Sequence, residues 1–230
     1  MKKRLLGILL VAVMAVSLAA CGDKETQESS ADSGQGTSPA QESSQEEEGT
    51  GTEGEGAAIE ASGKHHVEIT VKDYGTISVE LDGDAAPITV ENFLKLAGDG
   101  FYDGLTFHRI ISGFMIQGGD PLGNGRGGSE EQIKGEFSEN GVENNLSHTR
   151  GAVSMARSQD YDSASSQFFI VHEDSTFLDG QYACFGYVTE GMEVVDAICE
   201  AITEEAYIPD SNNTVESQYQ PVIESIKVID

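Results

Sequence analysis

The sequence predicts a mainly β, barrel-like domain, and three observations carry that expectation. Short apolar stretches alternate with polar residues at the period of a strand. Two other stretches repeat at helical spacing, and clusters of Gly, Asp, Asn and Ser separate the segments. Many short strands with two helices is the pattern of a curled sheet rather than of alternating βα units.

Strands are expected at 65–71, where Val67, Ile69 and Val71 alternate with polar residues, and at 77–81 after the Tyr74-Gly75-Thr76 turn. Pro87 leads into a helix over 89–97, with Val90, Phe93, Leu94 and Ala97 at helical spacing and Thr89 placed to cap its start. After a turn at 98–104, residues 105–119 read as one strand of bulky alternating side chains, followed by a Gly-rich loop. Further strands are expected at 152–156, 167–172 and 182–188, a second helix at Met192–Ala201 and a last strand at 222–228. The polar stretch 204–220, which contains Asn212-Asn213, reads as a long surface loop.

The N-terminal part has a different character. Residues 1–20 join Lys2, Lys3 and Arg4 to an apolar run too short to span a bilayer, the layout of an export signal. Leu18-Ala19-Ala20-Cys21 resembles the bacterial lipobox, which implies acylation of Cys21 and a lipid anchor as the protein's contact with the membrane. Residues 21–63 are mostly Ser, Gly, Glu, Gln, Thr and Ala without an aromatic residue, and read as a disordered acidic tether. One folded domain is then expected at 64–230, displayed on the extracytoplasmic side of a bacterial membrane.

The 230 residues carry 40 acidic against 13 basic side chains, a net charge of −27, with no basic cluster beyond Lys2, Lys3 and Arg4. That distribution excludes recognition of a nucleic-acid backbone. Gly123-Asn124-Gly125-Arg126-Gly127-Gly128 satisfies G-x-G-x-x-G, but no βαβ context surrounds it and Glu130 and Glu131 would repel a pyrophosphate. It reads as a tight loop near a cleft. His65 and His66 read as exposed strand residues rather than metal ligands, and no Cys-x-x-Cys spacing is present. Cys184 and Cys199 lie in apolar surroundings and read as buried thiols, although the expected compartment permits a disulfide between them.

The informative segment is 107–120, FHRIISGFMIQGGD. On a regular strand Arg109, Ile111, Gly113, Met115 and Gln117 share a face, so a cation, a thioether and an amide line one surface. By itself such an arginine suits catalysis and a structural ion pair equally. A second set follows at 165–172, SSQFFIVH, and a third at 177–186, FLDG-x-Y-x-x-FG.

These three motifs, in this order, resemble the cyclophilin family of peptidyl-prolyl isomerases, and the likeness covers about 67–201. The resemblance implies a closed eight-stranded antiparallel barrel capped by two helices, with a substrate groove on its outer surface. Arg109 falls on the family's catalytic arginine and Gln117 on the glutamine that hydrogen-bonds the substrate backbone. Phe114, Met115, Phe169 and Leu178 fall on the proline pocket, and His108, Ala156 and Arg157 on groove positions, with Gly125 in the neighbouring loop.

Phe177 stands where many members carry Trp, and Tyr182 where many carry His. Loss of the indole N–H implies weak binding of cyclosporin-type inhibitors that use that donor. Phe168 and Phe185 are expected in the core. The implied activity needs no cofactor and no metal. The implied partners are proline-containing segments of unfolded or exported proteins, bound by a monomer. A peptide-binding adaptor on the same fold is the competing class, and the intact Arg109 and Gln117 favour the enzyme.

Overall fold

The computed structural model describes residues 61–230; the expected signal segment, Cys21 and the tether up to residue 60 lie outside the described residues. Strands β1 (Lys64–Val71) and β2 (Gly75–Asp82) form a hairpin paired from Lys64↔Asp82 to Val71↔Gly75. The alternation read from the sequence sends Val67, Ile69, Val71, Ile77, Val79 and Leu81 inward. Just before β1, the Gly63 N–H donates to Asp84 Oδ1 (3.0 Å) and its carbonyl accepts from the Gly83 N–H (2.8 Å).

Helix α1 (Pro87–Gly98) starts two residues before the expected 89–97, because proline at the first helical position is pre-set for the helix. Thr89 is not its cap. Ala86 occupies that position without a side-chain acceptor. The free N–H groups of Ile88 and Thr89 instead donate to the buried carboxylate of Glu136 at 3.1 and 2.8 Å, and Thr89 Oγ1 donates to it at 2.7 Å. A carboxylate at a helix N-terminus satisfies orphan donors and opposes the helix dipole.

The expected single strand over 105–119 is a hairpin, β3 (Arg109–Ile111) and β4 (Met115–Gly118). Gly113 at φ +80° lets the chain reverse there, and the Phe114 N–H closes the turn on the Ile111 carbonyl (3.0 Å). Then come β5 (Ala152–Met155), β6 (Phe168–Val171), β7 (Cys184–Glu190), α2 (Met192–Ala201) and β8 (Ile223–Val228).

The strands form one antiparallel sheet in the order β3-β4-β6-β5-β7-β2-β1-β8. It curls into a half-barrel that is open, not the closed barrel expected, because β3 and β8 at its ends do not pair as strands. The outer edge of β3 is already occupied. Arg109 bridges Thr214, and the His108 carbonyl accepts from the Val215 N–H at 2.8 Å. Residues 104–107, ahead of β3, meet 221–223 instead through the Thr106↔Val222 bridge and hydrogen bonds of 2.8–2.9 Å.

Inside the curl, Phe93 of α1 meets Tyr102, Phe168 and Phe185 at ring-centroid distances of 5.1, 5.3 and 5.3 Å. Phe168 and Phe185 are thus core residues, as expected. Helix α1 packs on β2 and β8, and α2 on β2. Cys184 and Cys199 are both buried and free, and burial pushes each thiol up to about 12, which leaves them poor nucleophiles.

Candidate active site

The site grows from the two faces of the β3–β4 hairpin. Arg109 pairs with Gln117 and Ile111 with Met115, so these side chains share the outer face, while Ile110 and Ile116 are fully buried on the inner one. Pairing continues the outer row from Gln117 to Phe169, from Phe169 to Ser154 and from Ser154 to Cys184. The cation and the aromatic floor are therefore placed by sheet register.

Arg109 is held by neutral acceptors. Its Nε donates to the Asn212 carbonyl (3.0 Å), and its Nη1 to Gln117 Oε1 (3.3 Å) and towards Met115 Sδ (3.9 Å). The Gln117 amide nitrogen donates to Gln167 Oε1 (2.8 Å), whose own amide donates to the Gly127 carbonyl (2.7 Å). That chain fixes which end of Gln117 faces the guanidinium. Among the described residues no carboxylate forms an ion pair with Arg109. Burial lowers its pKa, with Tyr182 opposing, and a guanidinium so placed stays protonated.

A cleft of about 780 Å³ opens over this row. It is lined by His108, Arg109, Phe114, Met115, Gln117, Ala156, Arg157, Phe169, Leu178 and Tyr182, so ten of the sequence-nominated residues converge. Phe177 does not line it. That ring is 66% exposed and stacks on Phe114 at the rim, 5.7 Å between centroids. Phe169 meets Tyr182 edge-on at 6.0 Å.

Arg157 lines the cleft with its guanidinium already engaged by neighbouring groups. Its guanidinium donates to the Gln181 and Ser158 carbonyls and lies 4.7 Å from the Tyr182 ring centroid and 4.8 Å from that of Tyr161, bracing the wall.

His108 is fully buried at the base of the cleft, and neither ring nitrogen has a hydrogen-bond partner. Burial pushes its pKa down against the pull of Asp120, so the ring is neutral. Asp120 shapes the Gly-rich loop by accepting from the N–H groups of Leu122, Asn124 and Gly125 (2.8, 3.0 and 2.6 Å). Burial alone would raise the Asp120 pKa, but these donors outweigh it and hold the carboxyl below the ordinary range. The loop then presents Asn124, Gly125 and Arg126 to the cleft.

Sequence reasoning missed two groups. Ile208, Asp210, Ser211, Asn212 and Thr214, from the stretch read as a surface loop, form a wall of the cleft. Behind Phe169, Asp179 Oδ1 meets His148 Nδ1 (2.8 Å), His148 Nε2 meets Ser154 Oγ (3.0 Å), and the imidazole stacks on Phe169. The order Asp-His-Ser resembles a hydrolase triad, but Ser154 is fully buried, which closes its hydroxyl to a substrate carbonyl. The network supports the aromatic floor and fixes Asp179 beside Leu178.

Among the described residues, no group of three or more His, Cys, Asp or Glu side chains could hold a metal ion. The arrangement offers a cation, an amide and an apolar hollow, suited to polarising a bound peptide without breaking a bond.

Residues 66–226 match the family described as cyclophilin type peptidyl-prolyl cis-trans isomerase/CLD. The chain belongs to the cyclophilin-type peptidyl-prolyl cis-trans isomerase family. It is 50% identical over 123 residues to peptidyl-prolyl cis-trans isomerase B of Bacillus subtilis, covering 54% of this chain and 82% of that one. It is 42% identical over 156 residues to peptidyl-prolyl cis-trans isomerase A of Dickeya dadantii, covering 64% of this chain and 77% of that one. A cyclophilin-type isomerase of Cryptosporidium parvum, crystallised in the presence of the dipeptide Ala-Pro, superposes with a TM-score of 0.62 at 30% identity, covering 72% of this chain and 99% of that one. The protein is accordingly a cyclophilin with peptidyl-prolyl cis-trans isomerase activity.

Proposed function

We propose that this cyclophilin isomerises X-Pro bonds in exported proteins, as a monomer tethered through acylated Cys21 to the outer side of a bacterial membrane, with Arg109 and Gln117 as its catalytic pair. The observation that carries the catalytic part is a guanidinium that forms no ion pair with a carboxylate among the described residues, beside an apolar hollow. The export part rests on the lipobox-like Leu18-Ala19-Ala20-Cys21 and the acidic stretch that follows.

Resonance sets a barrier of ~18–20 kcal/mol to rotation about the peptide C–N bond. As the bond twists, conjugation is lost and the prolyl nitrogen gains lone-pair character. A donor aimed at that nitrogen binds the twisted form better than the planar one, which is the condition for catalysis. Arg109 supplies the donor. Phe114, Met115, Phe169 and Leu178 hold the proline ring, Gln117 fixes the flanking backbone, and His108, Ala156, Arg157 and Tyr182 bound the groove. Phe177 extends it at the rim.

Two measurements test the proposal. Titration with an Ala-Pro dipeptide should shift NMR signals of Phe114, Met115, Phe169 and Leu178 before those of the inward Ile110 and Ile116; shifts confined to other surfaces would refute the groove. Mass spectrometry of the membrane-extracted protein should find a diacylated Cys21 at the N-terminus, and an unmodified chain beginning at Met1 would refute the anchor.

A further inference from the structure

The cleft wall formed by residues 207–215 does more than border the groove. This segment is a hairpin, closed by the Tyr207↔Val215 bridge and by the Ile208 N–H donating to the Thr214 carbonyl (2.9 Å). It grips the backbone on either side of Arg109. Tyr207 Oη donates to the Ile110 carbonyl (2.9 Å), and the Val215 N–H donates to the His108 carbonyl (2.8 Å). Its base is tied down by Gln220, whose amide donates to the carbonyls of Val215 (2.7 Å) and Gly123 (2.9 Å).

At the tip, Asp210, Asn212 and Asn213 adopt left-handed φ angles of 59°, 56° and 65°. L side chains seldom take that conformation, and Asn and Asp are the non-glycine residues that tolerate it. Its product is one carbonyl, that of Asn212, aimed at Arg109 Nε (3.0 Å).

We propose that the 207–215 hairpin is a positioning element that holds the guanidinium of Arg109 in its working orientation. The proposal rests on the reading of Arg109 as catalytic. With Nε on Asn212 and Nη1 on Gln117, the guanidinium plane is fixed at two points, and Nη2 has no hydrogen-bond acceptor among the described residues. Nη2 is the donor left for the substrate. Because the hairpin meets Arg109 with a peptide carbonyl, and its Asp210 forms no ion pair with the guanidinium, it orients the cation without neutralising it.

The test uses the full chain with Asn212→Val, whose β-branched side chain is incompatible with a left-handed backbone, and Asn212→Gly, which keeps both the conformation and the carbonyl. In Asn212→Val the kcat for peptide isomerisation should fall roughly tenfold with KM changed less than about twofold, since small misplacements of a reacting group are costly. The NMR signal of the Arg109 Nε–H should lose its protection from exchange in the same variant. Asn212→Gly should recover most of the rate and the protection. A wild-type kcat in Asn212→Val, or a loss that tracks melting temperature and that glycine does not rescue, would overturn the proposal.

Should Asn212→Val fail to fold, Tyr207→Phe decides: lowered kcat with a perturbed Nε–H supports the proposal, and both unchanged refutes it. Arg109→Ala measured in parallel separates the two readings. If it is as fast as wild type, the catalytic reading falls and the positioning role with it; if it is slow while Asn212→Val is fast, the hairpin proposal alone falls.

Discussion

Phe168 and Phe169 are neighbours in β6 and face opposite sides of the sheet. Phe168 is fully buried, edge-on to Phe93, Tyr102 and Phe107, whereas Phe169 sits on the outer face against His148 and Tyr182 and floors the cleft. Ile110 and Ile116 against Arg109 and Gln117 repeat the division in the β3–β4 hairpin. The same short strands thus serve two layers, and what separates packing from chemistry is the parity of a residue along its strand. Stability and isomerase activity should therefore respond to different, interleaved positions.

The largest stability effect belongs to the inner layer. Phe168→Ala should destabilise the protein by about 3–5 kcal/mol, the usual cost of deleting a fully buried phenylalanine, read as a shift in the denaturant midpoint. The fraction that stays folded should isomerise at a rate close to wild type. An unchanged midpoint would break the division between the layers.

Asp179→Ala should act on stability and on the cleft floor at once, because Asp179 Oδ1 accepts from the buried His148 backbone and imidazole, and His148 stacks on Phe169. The expected cost is about 1–3 kcal/mol from buried donors left short of an acceptor, with a raised KM for proline peptides. The same network predicts the pH response. Burial holds the pKa values of His108 and His148 below the ordinary 6.5, so as pH falls past 6.5 the unfolded chain takes up protons first and stability begins to drop. Asp120 and Asp179, held below 3.8 by donors that outweigh burial, add a second loss that begins as pH falls past 3.8 and the unfolded carboxyls take up protons first. Thermal unfolding measured from about pH 8 down to about pH 3 should show both stages. A melting temperature that rises on acidification would contradict the assignment of neutral, buried histidines.

The smallest effect is expected at the rim. Phe177 is exposed, so Phe177→Trp should leave stability within about 0.5 kcal/mol. By adding an indole N–H it should tighten a cyclosporin-type inhibitor by about three- to tenfold, the worth of one hydrogen bond. Tight inhibition of the unaltered protein would remove the reason for that comparison.

Much of this was legible in the sequence because alternation survives local errors. Residues 105–119 read as one strand but fold as a hairpin, yet Arg109 and Gln117 were rightly placed on one face. Cross-strand partners in this hairpin are an even number of residues apart, so both readings give the same parity. The open sheet was not legible, because the edge of β3 is taken by residues more than a hundred positions away in the chain. Val215, an apolar residue in a mostly polar stretch, is fully buried there, and Asn212-Asn213 marks the left-handed turn without revealing what it faces. The support under Phe169 was equally hidden. His148 and Asp179 lie 31 residues apart and look alone like solvated polar residues. Only the fold brings them together.

The most direct test compares Ala-Pro peptide isomerisation by the full chain and by Arg109→Ala, with thermal unfolding of both. The account predicts a loss of about a hundredfold or more in kcat/KM, the scale set by removing one donor aimed at developing charge. The melting temperature should stay within about 2 °C, because Arg109 belongs to the outer layer. An Arg109→Ala protein that isomerises at the wild-type rate, or whose rate falls only in step with its stability, would contradict it.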